Sequence, residues 1–192
     1  MSDSTANSAS ERRSYYRADD DVYLEYLVLN ASEVANAIHE FSNDTRGHFN
    51  PLNQLHAIGI RNRGLLDAIA REHPAIGAYL VSIDERLQLL AHAIAQDQAG
   101  VPIVPNESVN ISGGGIAFSS ELAIPSESCL EFSIIIVPSY LHIYALGTVV
   151  YCGHNINNSE AMPYRIGVEF THIHAGDRDA LVQHVGERAS AS

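Results

Sequence analysis

The chain contains no lysine and no tryptophan, only two cysteines and two methionines, and charged residues make up just 18% of it. Without lysine there is no phosphate-binding loop of the GxxxxGKS kind. All 11 basic residues are arginines, set against 23 acidic ones, which leaves a formal net charge of -12. That balance excludes general binding to a nucleic-acid polymer or an anionic membrane, since both need a broad basic face. An anionic partner has to be small and met by a local arginine cluster. Cys129 and Cys152 fit no zinc or redox spacing, and two thiols make no disulfide framework, so both are expected to be free. No apolar run approaches the roughly 18 residues of a membrane span. The polar residues 1–10 do not resemble a signal peptide, so a cytoplasmic location without membrane insertion is expected.

What is present is a chain of 192 residues, 46% hydrophobic, enough for one ordinary domain or a smaller one with a large insertion. Residues 1–11 and 189–192 read as polar tails. Dense β-branched and aromatic residues predict a strand over 22–29. A helix is expected over 31–41, from the spacing of Val34, Ala35, Ile38 and Phe41 with Ser32 as N-cap. Two more are expected over 51–72, weakened by Gly59 and Gly64, and 74–97, opened by Pro74. After Pro105, short β-rich runs at 109–111, 116–119, 130–137, 141–152 and 164–170 predict an antiparallel barrel or sandwich. A closing helix over 176–188 presents Leu181, Val182 and Val185 on one face, and no internal repeat is visible.

Two segments carry chemistry. Arg12, Arg13 and Arg17 cluster around Tyr15 and Tyr16, and Asn110-Ile111-Ser112-Gly113-Gly114-Gly115 puts small, hydrogen-bonding residues at a strand edge. Arginine offers planar paired donors to phosphate, can read guanine O6 and N7, and can stack on the base. Glycines add exposed backbone N–H donors without bulk. The plainer readings are a solvated arginine run pairing loosely with Asp19, Asp20 and Asp21, and a tight turn between strands.

Arg13 and Arg17 form RxxxR, and Asn110, Ser112 and Gly115 form NxSxxG. With Gly147-Thr148-Val149 and the run Tyr164-Arg165-Ile166-Gly167-Val168-Glu169-Phe170, the chain resembles the PilZ domain family. The resemblance implies a mostly β plus α fold: an antiparallel PilZ-type β-barrel with a C-terminal helix and a long α-helical insertion after the first strand. It divides the chain into barrel segments 11–30 and 104–188 and a helical insertion 31–98. It also implies a non-enzymatic receptor for the bacterial messenger cyclic di-GMP, with no cofactor. Arg13 and Arg17 would clamp phosphates and guanine edges, Arg12 would add a contact, and Asn110, Ser112 and Gly115 would line the opposite face. Tyr15 and Tyr16 would stack on a guanine or pack on the barrel. The departure is the distance of 97 positions between Arg13 and Asn110. Some tetrameric PilZ-like proteins with heptad-bearing inserted helices look similar.

Within 74–97, Ile76, Leu80, Ile83, Leu87, Leu90 and Ile94 alternate spacings of four and three, a heptad seam. With Leu80, Leu87 and Ile94 at a and Ile76, Ile83 and Leu90 at d, the pattern favours a homotetramer over a dimer. The alternative is an amphipathic helix packed on its own chain. Competing functions are a structural PilZ-like oligomerisation module that binds no cyclic di-GMP, and a metal-dependent hydrolase built on the ten histidines. His172 and His174 would share a strand face, but no Cys or carboxylate completes a set at ligand spacing, so no metal is expected.

Overall fold

The computed structural model describes residues 15–43, 51–99, 102–137, 139–155 and 161–191. Among them are six strands, β1 (Ala18–Leu29), β2 (Glu107–Ser112), β3 (Gly115–Ser120), β4 (Cys129–Ile136), β5 (Leu141–His154) and β6 (Tyr164–Ile173). There are four helices, α1 (Ala31–Ser42), α2 (Pro51–Glu72), α3 (Pro74–Ala99) and α4 (Ala175–Ala191). All strand pairs are antiparallel, and the order β1-β2-β3-β6-β5-β4 closes into a barrel. The three helices between β1 and β2 lie where the sequence predicts them. No helix among the described residues is long and apolar enough to cross a membrane.

Strand alternation builds the core. In β4, Leu130, Phe132, Ile134 and Ile136 are fully buried, and they join Val22, Ile111, Phe118, Ile143 and Ile166 from the other strands. Helix α4 closes one end of the barrel with Ala180, Leu181 and Val185. Val182 lies off that apolar stripe and stays partly exposed over Gly113.

The first strand begins earlier than its β-branched residues suggest. Asp19, Asp20 and Asp21 are poor strand formers, yet each has a partner. Asp19 accepts a hydrogen bond from Asn110 Nδ2 (2.8 Å), Asp21 accepts one from the Ser108 hydroxyl, and buried Asp20 is held by His184 (2.6 Å) and Arg188. The cap of α1 is also corrected. Asn30, not Ser32, caps the helix, because its Oδ1 accepts from the N–H groups of Ser32 (3.0 Å) and Glu33 (3.1 Å). Glu33 reaches back to Asn30 N (2.7 Å) and completes a capping box.

Helices α2 and α3 form a hairpin whose backbones approach where Gly77 meets Ala70. Any side chain at Gly77 would push the two apart. The hairpin is docked on the barrel at two places. Asn53 bonds both backbone groups of His142 (2.9 Å to N, 2.7 Å to O) and Asp177 Oδ1 (2.6 Å). Ala91 and Ala95 pack on Ile103, Ile135 and Tyr140, with His92 stacked on Tyr140 at 4.5 Å. Small residues thus face the barrel, and the large apolar residues of α3 point elsewhere.

Burial pushes His142 and His56 below the ordinary imidazole value of 6.5. His56 Nε2 is buried without a hydrogen-bond partner among the described residues, while His142 Nε2 sits 2.9 Å from Ser133 Oγ. For groups whose pKa is lower in the folded state, the stabilising contribution is complete above 6.5 and is lost as pH falls through that value. Burial raises the Asp20 carboxyl, but His184 and Arg188 outweigh it and hold the group below 3.8, so its contribution is lost only in stronger acid. Burial raises Asp177, which acts in the opposite sense. Thermal unfolding followed by circular dichroism is therefore expected to show a midpoint that drops between about pH 7.5 and about pH 5.5. His142→Gln is expected to flatten that slope.

Candidate functional site

The barrel end covered by α4 also carries the two motif segments. Arg17 lies just before β1, Asn110 and Ser112 end β2, and Gly113 and Gly114 turn the chain into Gly115 at the start of β3. The Arg17 guanidinium is exposed, and its Nη1 donates to Asn110 Oδ1 at 3.5 Å. Asn110 is steadied from its other side by Asp19. Ser112 is buried: its hydroxyl accepts from Gly114 N (3.3 Å) and donates to Gly115 O (3.3 Å), so it braces the turn from inside. The turn is tied to β6 by the bond from Phe170 N to Gly114 O (3.0 Å).

Three glycines in a row have different steric reasons. A methyl group on Gly115 would collide with the Val168 carbonyl oxygen of β6, which is paired backbone and cannot retreat. On Gly113 it would collide with Val182 of α4 and press on the Tyr15 ring (3.1 Å). On Gly114 the nearest atom is Tyr15 Cδ2 at 3.4 Å, an ordinary contact. The turn is therefore thin because α4 and Tyr15 lie against it.

Of the residues expected at the site, Arg17, Asn110, Ser112 and Gly115 come together. Arg12 and Arg13 lie outside the described residues. Tyr15 covers the glycine turn and Tyr16 is 81% exposed beside it. Asp19 belongs to the same network through Asn110, a partner that the sequence reading, which set it against the arginine run, did not give it. Arg17 bonds Asn110, where the plainer reading had it pairing loosely with the acidic run. His172 and His174 pack around Phe41, with the His174 ring stacked on it at 4.2 Å. Among the described residues no group of three or more His, Cys, Asp or Glu is arranged to hold a metal ion. Cys129 and Cys152 are free thiols.

The PilZ domain family model matches residues 84–187, more than half of the sequence. The chain belongs to the PilZ domain family. PilZ domains are generally non-enzymatic receptor domains, and the family is associated with binding of cyclic di-GMP. The match takes in Asn110, Ser112 and Gly115 and begins within α3, leaving Arg13 and Arg17 outside it. A tetrameric PilZ domain protein from Xanthomonas campestris, self-assembled via a helical bundle, shares the fold at a TM-score of 0.54 and 15% identity, over 97% of this chain and 98% of that one. An inhibitor of motility from Bacillus subtilis superposes at a TM-score of 0.38 with 25% identity, over 45% of this chain and 42% of its own. No curated protein matches the chain.

The PilZ turn geometry separates neighbouring glycines. Gly115→Ala is expected to lower stability by about 1–3 kcal/mol or more, the usual range for overpacking, because β3 and β6 must part at Val168. Gly114→Ala is expected to leave the thermal midpoint close to wild type.

Proposed function

We propose that this PilZ protein is a non-enzymatic, cytoplasmic receptor for cyclic di-GMP that assembles through its helical hairpin. The observation that carries the reading is the convergence of Arg17, Asn110, Ser112 and Gly115 on one barrel end, next to a turn too thin to obstruct a ligand. In this reading Arg13 and Arg17 clamp phosphates and guanine edges, and Arg12 adds a weaker contact. Asn110, Ser112 and the Gly115 backbone line the facing side. Residues 11–30 and 104–188 form the receptor barrel, and 31–98 form the assembly insertion. One observation favours the alternative of a PilZ-like module without the nucleotide: Asp19 sets a carboxylate beside the Arg17–Asn110 pair, where it repels phosphate.

Assembly is supported by what α3 leaves uncovered. Four of its six seam residues are exposed in the single chain: Ile76 (53%), Leu87 (39%), Leu90 (60%) and Ile94 (43%). Leu55, Ile58 and Leu65 on α2 are exposed as well. Burying each such side chain fully is worth roughly 1.5 to 3 kcal/mol, so a contiguous apolar face favours a partner copy. A homotetramer is the state this reading takes, in line with the tetramer that the Xanthomonas campestris protein forms via a helical bundle.

Isothermal titration calorimetry with cyclic di-GMP tests the receptor reading. Binding is expected, with Arg13→Ala and Arg17→Ala each losing at least tenfold in affinity, since a desolvated charged contact is worth roughly 2 to 5 kcal/mol and about 1.4 kcal/mol is already tenfold. Arg12→Ala is expected to lose less. No heat at high ligand concentration would leave the nucleotide-free module standing.

Sedimentation velocity tests the assembly separately. The wild-type protein is expected to sediment as an oligomer, and Leu87→Asp with Leu90→Asp to dissociate it, since unpaired charge is not tolerated in an apolar interface. A wild-type monomer of 20.9 kDa would refute the assembly.

A further inference from the structure

The barrel end away from the glycine turn is finished differently. β2 pairs with β1 from Ala18 only as far as Val22, opposite Glu107. β1 runs on to Leu29 and keeps β4 on its other side over that length. Just past Val22 a side chain substitutes for the missing strand. Asn106 N donates to Val22 O (3.0 Å), then Asn106 Oδ1 accepts from Leu24 N (2.7 Å) and its Nδ2 donates to Leu24 O (3.0 Å). Alternation along a strand turns the backbone groups of Tyr26 and Val28 to the same side as those of Leu24. Among the described residues no strand pairs with that edge beyond Asn106.

Beside the free edge lies a cavity of about 500 Å³, lined by Leu24, Tyr26 and Val28 of β1, Phe118 of β3, and Leu122 and Met162 from the loops. Of the β1 residues that line it, Leu24 has its backbone groups taken by Asn106, and Tyr26 and Val28 are the ones whose backbone groups face the free edge. The charged residues among its lining are Glu107 and Glu121, both acidic. Leu122, at 75% exposure, forms an apolar lip.

We propose that this slot receives an extended segment of another protein. The segment adds as a strand to the edge of β1 at Tyr26 and Val28, sets an apolar side chain into the cavity, and lays Lys or Arg beside Glu107 and Glu121. An unpaired strand edge selects a polypeptide over a lipid or metabolite, because only a peptide backbone matches its donors and acceptors in register. The cavity beside the edge suits alternate side chains of such a strand, and the two carboxylates select the basic sign. Residues 1–14 of this chain are a poor occupant. They hold no large apolar residue besides Met1 to set into the cavity.

The test uses the full-length ¹⁵N-labelled protein and a blocked peptide of about nine residues, an ordinary strand length, alternating lysine and valine. Saturable binding is expected, with amide exchange at Tyr26 and Val28 slowed about tenfold or more by the new hydrogen bonds. Val28→Pro removes a donor on the free edge and is expected to weaken binding about tenfold, as is Leu122→Arg, which puts a like charge at the lip. A peptide with glutamate in place of lysine is expected not to bind. Should Val28→Pro fail to fold, exposed Leu122→Arg supplies the same readout. Peptide saturation without slowed exchange at Tyr26 and Val28, or no binding at millimolar peptide, would overturn the proposal. Protection of those amides before peptide is added would overturn it too: loss on dilution would assign the slot to a second copy, and loss on removing 1–14 to the chain itself.

Discussion

Much of this molecule depends on one buried carboxylate. Asp20 is 5% exposed and lies between His184 and Arg188 of α4, so the start of β1 and the helix that closes the barrel are tied at a single point. A lone buried carboxylate is costly; His184, Arg188 and the Asp21 N–H together offset that cost, and removing either side chain would leave the charge only partly compensated. The tie sets the geometry around it. Arg17 comes to lie beside Asn110, three residues before Asp20, and α4 is seated so that Val182 presses on the glycine turn. The motif site is therefore a consequence of how the barrel end is closed.

The two ends of the barrel use opposite solutions. At the motif end, α4 fills the opening with Leu181 and Val185, and the turn above it keeps glycine at 113 and 115 because no side chain fits there against Val182, Tyr15 and the facing strand, while 114 has room for one. At the far end no helix among the described residues plugs the opening; Ile124 enters the core from a loop, and Asn106 stands in for backbone along one step of β1. A closed end suits a rigid ligand platform. An end with an open strand edge suits recognition of another chain.

The helical hairpin shows the same division of surfaces. Gly77, Ala91 and Ala95 allow close approach to α2 and to the barrel, and Asn53 satisfies two backbone groups of β5 that a helix face would otherwise bury without partners. With small residues taken up internally, Ile76, Leu87, Leu90 and Ile94 remain exposed on the outside. The family model match begins within α3 and leaves β1 out, although β1 pairs with both β2 and β4 to close the barrel.

The sequence by itself determined the order of the elements and most of their bounds, because alternation in strands, the 3.6-residue period in helices, and Pro and Gly breaks are local properties of neighbouring residues. It also determined the residue types of the site, since RxxxR and NxSxxG are legible without coordinates. Only the tertiary structure decided that Asp19, Asp20 and Asp21 form a strand, against their local preference, because the donors that satisfy them come from β2 and α4, more than 80 positions away. It decided too that small residues rather than the heptad seam of α3 meet the barrel. Burial and partner choice depend on what the fold brings alongside, and no spacing along the chain encodes that by itself.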